Sequence, residues 1–266
     1  MGERETVKLR VLSDDDYQRV CRSEPNYSRP ATEWCPTCNG RGVYIARGGA
    51  KTACDCPTQH RLGKNYLAAG IGATYMRLDW DDYHGPKGIL QGVEKYLDRH
   101  EAFLQRGMGL YFSGTFGTGK TMIANLVLKE LIKRGQTCFA TTFAQTIEMY
   151  TSTWRDKDEK AWFQRKFLDS QFLLLDDVGK ELRGTRLALA ETTFDAILRE
   201  RVTHGRPTLI TTNLAADELH EGYGGAILSL IREKSLEEVF EGEDFRPRAN
   251  DRELDEIMKG WVRPIV

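Results

Sequence analysis

One stretch constrains the fold more than any other: residues 109–121 read GLYFSGTFGTGKT. Its last part, from Gly114 to Thr121, matches the G-x-x-x-x-G-K-[ST] pattern of a phosphate-binding loop. The apolar residues before the loop predict a buried strand, and the apolar spacing after it predicts a helix. An ordinary glycine-rich turn is the alternative, but the flanking strand and helix are the context that the phosphate-loop pattern requires.

The chemistry of this loop predicts a nucleotide ligand. Small residues let the backbone curl so that successive N–H groups point at one anion, and the following helix adds its positive N-terminal end. We expect Lys120 to reach the β- and γ-phosphates and the Thr121 hydroxyl to bind Mg²⁺. The predicted residues for ATP binding are Gly114, Thr115, Phe116, Gly117, Thr118, Gly119, Lys120 and Thr121.

Two acids follow a second apolar run, residues 172–175. At the end of such a strand, Asp176 is predicted to bind Mg²⁺ beside the phosphate loop, and Asp177 to polarise the attacking water. Most ATPases of this kind have Glu at the second position, and Asp is one methylene shorter. The alternative is a strand that simply ends in solvated acids.

A polar amide ends the next predicted strand, residues 207–212. Asn213 would lie between the two motifs, where it is predicted to hydrogen-bond the γ-phosphate or the water. Its alternative role is to cap the turn that follows.

The order of elements predicts an α/β fold with a parallel sheet covered by helices on both faces. Residues 137–141, 171–176 and 207–212 read as strands, whereas residues 88–105, 142–167 and 187–202 have helical apolar spacing.

Four cysteines in two close pairs predict a structural zinc site ahead of this fold. A C-x-x-C pair is followed by glycines, and a C-x-C pair returns after a hairpin whose first strand is residues 43–45. Four thiolates suit tetrahedral Zn²⁺. Unliganded cysteines and redox chemistry are the alternatives, and His60 is a substitute ligand. The predicted zinc ligands are Cys35, Cys38, Cys54 and Cys56.

Composition sets limits on partners and location. The chain of 266 residues has a net charge of −1, so any nucleic-acid binding must come from a local basic patch. Candidate patches are Lys180, Arg183 and Arg186, and a helix in which tryptophans alternate with basic residues. No apolar run is long enough to span a bilayer, and the charged N-terminus lacks a signal peptide. We therefore expect a soluble, cytoplasmic protein without membrane contact.

Five segments in the same order resemble the AAA+ family of replicative-helicase loaders, of the DnaC and DnaI type, which also includes the IstB-type transposition ATPases. The resemblance covers about residues 73–248 and is carried by residues 114–121, 173–179, 200–201, 206–214 and 244–248. It implies an ATPase that assembles as a homo-oligomer on single-stranded DNA, with nucleotide sites shared between neighbouring subunits. It also implies delivery of a replicative ring helicase through the N-terminal module.

The resemblance implies roles for two arginines. Arg232 is the candidate for the arginine that acts on a neighbouring subunit's nucleotide, although Leu230 stands where the family usually has another arginine. A salt bridge between helices is its alternative role. Arg246 is the candidate for a second residue that senses the γ-phosphate.

We expect five segments along the chain. They are an N-terminal arm (1–32), a zinc module (33–60), a linker with a helix (61–108), the ATPase domain (109–250) and a C-terminal tail (251–266). The expected function is ATP-dependent loading of a replicative helicase. The alternatives are a transposition ATPase that binds duplex DNA and a zinc-stapled adaptor that does not hydrolyse ATP.

Overall fold

The structure is a computed structural model, and it describes residues 43–46, 49–54, 56–183, 187–259, 263 and 265–266. The chain divides into two compact units. The first comprises the segments up to Ala68, Gly72–Leu78 and Pro247–Val266, and the second comprises Ala69–Ile71 and Asp79–Arg246.

The first unit contains a hairpin and three helices. Its elements are β1 (Val43–Ile45), β2 (Lys51–Ala53), α1 (Cys56–Ala68), α2 (Ala73–Met76) and, from its second residue on, the C-terminal helix Arg246–Met258. β1 and β2 pair antiparallel, with Tyr44 opposite Thr52, so the predicted hairpin is confirmed. Within the segment predicted as a linker with a helix, residues 61–68 continue α1 as a regular helix.

The second unit contains the sheet and most of the helices. Its elements are α3 (Lys87–Asp98), α4 (His100–Gln105), β3 (Gly109–Gly114), α5 (Lys120–Lys133), β4 (Cys138–Thr142), α6 (Phe143–Ser152), α7 (Lys157–Phe163), β5 (Phe172–Val178), α8 (Leu187–Thr203), β6 (Thr208–Thr212), α9 (Ala216–Tyr223), α10 (Gly225–Lys234) and β7 (Ser235–Phe240). The C-terminal helix Arg246–Met258 is α11. Short 3-10 turns cover Trp80–Asp82 and Lys180–Arg183, and a π-helix covers Gln164–Leu168.

The five strands of this unit form one parallel sheet in the order β4-β5-β6-β3-β7. The predicted α/β fold with a parallel sheet and flanking helices is confirmed. The inner strands are continuous apolar runs because both of their faces are covered, as in Leu110 to Phe112 and Phe172 to Leu175. The carboxyl ends of β3, β5 and β6 therefore meet at one edge, where the phosphate loop, the acid pair and Asn213 follow.

Two predicted helices are interrupted. Residues 88–105 divide into α3 and α4 at Arg99. Residues 142–167 divide where Asp156 caps α7, because its carboxylate accepts hydrogen bonds from the backbone N–H groups of Asp158 and Glu159. α7 then passes directly into the π-helix.

Arg201 in α8 is fully buried and fastens the amino ends of β5 and β6. Its guanidinium donates to five oxygens: Phe167 O (2.7 Å), Ser170 O (3.0 Å), Gln171 O (3.2 Å), Pro207 O (2.6 Å) and Thr208 Oγ1 (2.9 Å). Burial lowers the pKa of Arg201 to about 9, since none of these partners carries a compensating charge. Arg201 is thus a structural residue far from the carboxyl edge of the sheet.

The zinc prediction falls mainly outside the part of the chain that the structure describes. Cys35 and Cys38 lie in residues 1–42, and only the backbone of Cys56 is described. Cys54 follows β2 and is half-buried. The zinc module therefore stays a prediction. Of the helices described, none is long and apolar enough to cross a membrane.

Candidate functional site

The phosphate loop connects β3 to α5 and needs glycine at two positions. Gly114 has φ +126, and a Cβ there would lie 2.0 Å from the Phe240 carbonyl oxygen. Gly117 has φ +74, and a Cβ there would lie 1.8 Å from Asp244 Oδ1. Both the left-handed backbone and the close neighbours disfavour larger residues at these two positions. Gly119, the second glycine of the motif, also has a positive φ, +94.

Lys120 folds back into the curl of the loop. Its Nζ donates hydrogen bonds to the carbonyl oxygens of Gly114 (2.9 Å) and Thr115 (2.5 Å). Burial lowers the pKa of Lys120 to about 8, while the nearby charge of Asp177 opposes this shift and that of Arg246 adds to it. The ammonium is thus held inside the loop by neutral carbonyls, near the place where phosphates are expected.

Thr121 and Asp176 meet at the carboxyl edge of the sheet. The Thr121 hydroxyl donates to Asp176 Oδ1 at 2.8 Å, and the Thr211 hydroxyl donates to the same oxygen at 2.6 Å. Burial raises the pKa of Asp176, and these two hydrogen bonds oppose the shift. A hydroxyl and a carboxylate this close are the oxygen ligands that Mg²⁺ takes, so the donor set fits that ion.

Asp177 adopts a left-handed backbone conformation with φ +59, which is unusual for a residue other than glycine. A β-bulge causes this turn: Leu175 pairs with Ile210 but Val178 pairs with Thr212, so β5 carries one extra residue. The Asp177 N–H donates to Thr211 Oγ1 at 2.9 Å. The bulge therefore turns Asp176 and Asp177 in different directions at the end of one strand.

Each carboxylate oxygen of Asp177 accepts from one protein donor. Asn213 Nδ2 donates to Oδ1 at 3.2 Å, and the Lys180 ammonium contacts Oδ2. The structure thus brings together Asp177, which the sequence assigned to the attacking water, and Asn213, which it assigned to the γ-phosphate or that water. It also adds Lys180, which the sequence assigned to a candidate patch for nucleic-acid binding and not to this site.

Glu181 is a second carboxylate beside this turn. Its Oε1 accepts a hydrogen bond from the Gly179 N–H at 2.8 Å. Its Oε2 is buried without a hydrogen-bond partner in the described part of the chain, and burial raises the pKa of Glu181. Sequence reasoning missed both Glu181 and Thr211. Only their position next to the motifs pointed to them.

The two candidate arginines occupy different places. Arg246 follows Phe245, whose N–H donates to the Gly117 carbonyl of the phosphate loop at 3.0 Å, and its charge adds to the lowering of the pKa of Lys120 by burial. Arg232 is an exposed residue of α10, and its charge acts on Tyr111 of β3. Of these two arginines, Arg246 is the one next to the phosphate loop of its own chain.

The fold and this edge define a class, the phosphate-loop α/β domain. The acid pair lies at the end of β5, and one strand, β6, separates β5 from β3, the strand that leads into the loop. No protein-family model matches the sequence. The curated relatives include the replicative helicase loader DnaC of Escherichia coli K12, 21% identical over 199 residues, or 73% of this chain and 79% of DnaC. They also include the loader DnaI of Bacillus subtilis, 24% identical over 68% of this chain. The chain matches 58% of the length of DnaI.

Solved structures show the same fold. The DnaC helicase loader superimposes with a TM-score of 0.56 at 24% identity over 64% of this chain and 100% of that chain. DnaI gives 0.51 at 21% identity, covering 65% and 93% of the two chains. AMPPCP-bound DnaA from Aquifex aeolicus gives 0.51 at 18% identity, covering 65% and 52%. The resemblance to AAA+ helicase loaders of the DnaC and DnaI type is thereby confirmed.

Proposed function

We propose that this protein loads a replicative ring helicase onto single-stranded DNA and that ATP controls the process. The observation that carries the proposal is its similarity to two curated replicative helicase loaders, DnaC and DnaI, over about two thirds of the chain. The geometry of the carboxyl edge supports the dependence on ATP.

In this proposal the phosphate loop, residues 114–121, binds the triphosphate. Lys120 leaves the loop carbonyls for the β- and γ-phosphates, and Arg246 approaches the γ-phosphate from the segment after β7. Thr121 and Asp176 hold Mg²⁺, which when bound neutralises charge on the phosphate oxygens. Asp177 and Asn213, which contact each other at 3.2 Å, position the attacking water.

In this proposal ATP binding and hydrolysis control the assembly of the protein. A second subunit therefore completes the site. Arg232 is exposed on α10 and is available to a neighbour's nucleotide. An arginine that is supplied in trans stabilises the charge that builds on the transferred phosphoryl group. Hydrolysis then depends on the homo-oligomer.

The N-terminal region is proposed to grip the helicase. Its thiolates Cys35, Cys38, Cys54 and Cys56 would hold Zn²⁺ and so stabilise the fold of a small module.

The test is a pull-down from the native lysate with and without ATP, using the wild type, Lys120→Ala and the control Lys133→Ala. Lys133 is an exposed lysine at the far end of α5. We expect the wild type and the control to capture a ring helicase in an ATP-dependent manner, and Lys120→Ala to lose that dependence. Capture of a transposase, or ATP-independent capture by all three proteins, would contradict the proposal.

A further inference from the structure

The C-terminal helix α11 carries an apolar stripe that its own chain leaves uncovered. Leu254, Ile257 and Met258 follow one another at spacings of three and one residues, so all three lie on one face of the helix. Their exposed fractions are 52%, 63% and 86%. Every residue of α11 is described, and none of them is buried. Neighbouring apolar side chains that are this exposed indicate a binding surface, whereas single exposed apolar residues do not.

The opposite face of α11 is fixed to the end of the chain. Glu256 follows Leu254 by two positions, a rotation of about 200°, so it points away from the apolar stripe. Its Oε1 accepts from Arg263 Nη2 at 2.6 Å and from Arg263 Nε at 2.8 Å. The Val266 N–H then donates to the Met76 carbonyl at 3.2 Å. These contacts hold the helix from behind and leave the apolar stripe accessible.

Acids border the apolar stripe. Each of its three residues has an acid three or four positions before it, on the neighbouring turn of the helix. These acids are Asp251, Glu253 and Asp255, and all three are exposed. Asp255 pairs with Lys259, but 58% and 68% of their side chains are exposed, so water weakens this pair.

The acidic border indicates which kind of helix fits the apolar stripe. A second copy of α11 would bring carboxylates against carboxylates, and like charges at a contact oppose binding. A helix that places lysines or arginines beside its own apolar residues would meet these acids with the opposite charge.

We propose that the apolar stripe of α11 binds one amphipathic helix of another protein, and that this helix has basic residues along both sides of its apolar face. Packing of the two apolar faces supplies affinity, and the charges along the border select the partner. The inference goes beyond the proposed ATPase function, because neither the phosphate loop nor the acid pair takes part in this contact.

The test measures fluorescence anisotropy of two labelled helical peptides titrated with the full chain. Both peptides have leucines spaced three and four residues apart. One carries lysines beside the leucines, and the other carries glutamates there. We expect the wild type to bind the lysine peptide about tenfold or more tightly than the glutamate peptide, and added salt to weaken that binding.

Two double variants and a control separate the stripe from its border. Leu254→Ser with Ile257→Ser should weaken binding of the lysine peptide by about tenfold or more. Asp251→Lys with Asp255→Lys should reverse the preference between the two peptides. The control is Leu236→Ser, which removes a leucine of β7 that is 37% exposed, and it should bind as the wild type does.

Several results would overturn the inference. Equal binding of the two peptides, or binding that survives the double serine substitution, would refute the surface. A charge-reversed variant that still prefers the lysine peptide would refute the role of the acids. Sedimentation with ATP should give the wild type and the double serine variant the same mass. A smaller mass for the variant would show that a second copy occupies the stripe. Loss of ATP turnover would contradict the proposed function alone, since peptide binding needs no nucleotide.

Discussion

At the scale of one residue, the protonation of Lys120 offers a test of whether a triphosphate binds in the phosphate loop. The Lys120 ammonium is buried and donates to two neutral carbonyl oxygens. Burial lowers the pKa of Lys120 to about 8, so part of the population is uncharged in mildly alkaline solution. A bound triphosphate would supply negative charge and favour the charged form.

This predicts that ATP affinity depends on pH. Binding must restore the proton that Lys120 loses above about pH 8, so the dissociation constant should rise by up to about tenfold per pH unit above that value. Below about pH 7 the affinity should not respond to this group. Equilibrium titration with a fluorescent ATP analogue measures it. Lys120→Met should bind weakly with no such rise, and a wild-type affinity that is flat from pH 7 to 9 would contradict the assignment.

Arg201, in contrast to Lys120, is a buried charge with a structural role. It satisfies four carbonyls and one hydroxyl, and it lies at the amino ends of the strands. Arg201→Met should leave those oxygens unpaired and lower the free energy of unfolding by about 3 kcal/mol or more. Chemical denaturation measures the change.

The control for Arg201 is Arg199→Met on the same helix. The Arg199 side chain is 56% exposed, and its ion-pair partner in the described part of the chain is Asp195. Its loss should change stability by less than about 0.5 kcal/mol. Equal effects of the two substitutions would refute the structural role of Arg201.

At the scale of elements, β6 joins the two acids of β5 through a single side chain. Thr211 Oγ1 donates to Asp176 and accepts from the Asp177 N–H. Thr211→Val keeps the shape but removes both bonds and leaves a backbone N–H unpaired. We expect the free energy of unfolding to fall by about 1–3 kcal/mol.

The free energy of unfolding of this variant is measured by thermal or chemical denaturation and compared with that of Thr192→Val. Thr192 is exposed on α8, and its hydroxyl donates to the Ala188 carbonyl of the same helix. That control should be near neutral. If the two variants unfold alike, the hydroxyl of Thr211 is not the connection between the strands.

The elements that could be predicted from the sequence are those with strong local patterns. β3, α5 and β5 have a motif or an unbroken apolar run, and their positions are confirmed. β7 was not predicted, because SLEEVF is a polar edge strand with Leu236 and Val239 exposed. The break at Asp156 and the helix α1 were missed because capping and packing, not apolar spacing, decide them.

The contacts within the site were harder to predict than its members. The sequence named Thr121, Asp176 and Asn213, and the parallel order of the strands places them at one edge. The pairing of Lys180 with Asp177 depends on a bulge that adds one residue to β5 and on a left-handed backbone at Asp177. Neither feature has a local sequence pattern, so Lys180 could not be assigned without the structure.

At the scale of the whole molecule, the proposed function requires each active site to be formed by residues of two subunits. In the proposed oligomer, Lys120 would bind the nucleotide of its own chain, whereas Arg232, exposed on α10, would act on a neighbour's. Lys120→Ala and Arg232→Ala should therefore each lower the rate of ATP turnover by about 100-fold or more, since each removes a group that stabilises phosphoryl charge.

Mixing the two inactive variants tests this division. In a mixed oligomer an intact Lys120 meets an intact Arg232 at some interfaces, so turnover should return to a measurable fraction of the wild-type rate. Two variants that stay inactive together at concentrations where the wild type assembles would refute the role of Arg232 in trans.

The central claim is that a triphosphate and Mg²⁺ occupy the edge where Thr121 and Asp176 meet. The most direct measurement is equilibrium binding of ATP to the full chain with and without Mg²⁺, for the wild type and Asp176→Ala. The account predicts that Mg²⁺ tightens ATP binding by the wild type about tenfold or more, and that Asp176→Ala loses this gain. A wild type that binds no ATP, or an Asp176→Ala variant that gains as much from Mg²⁺, would contradict it.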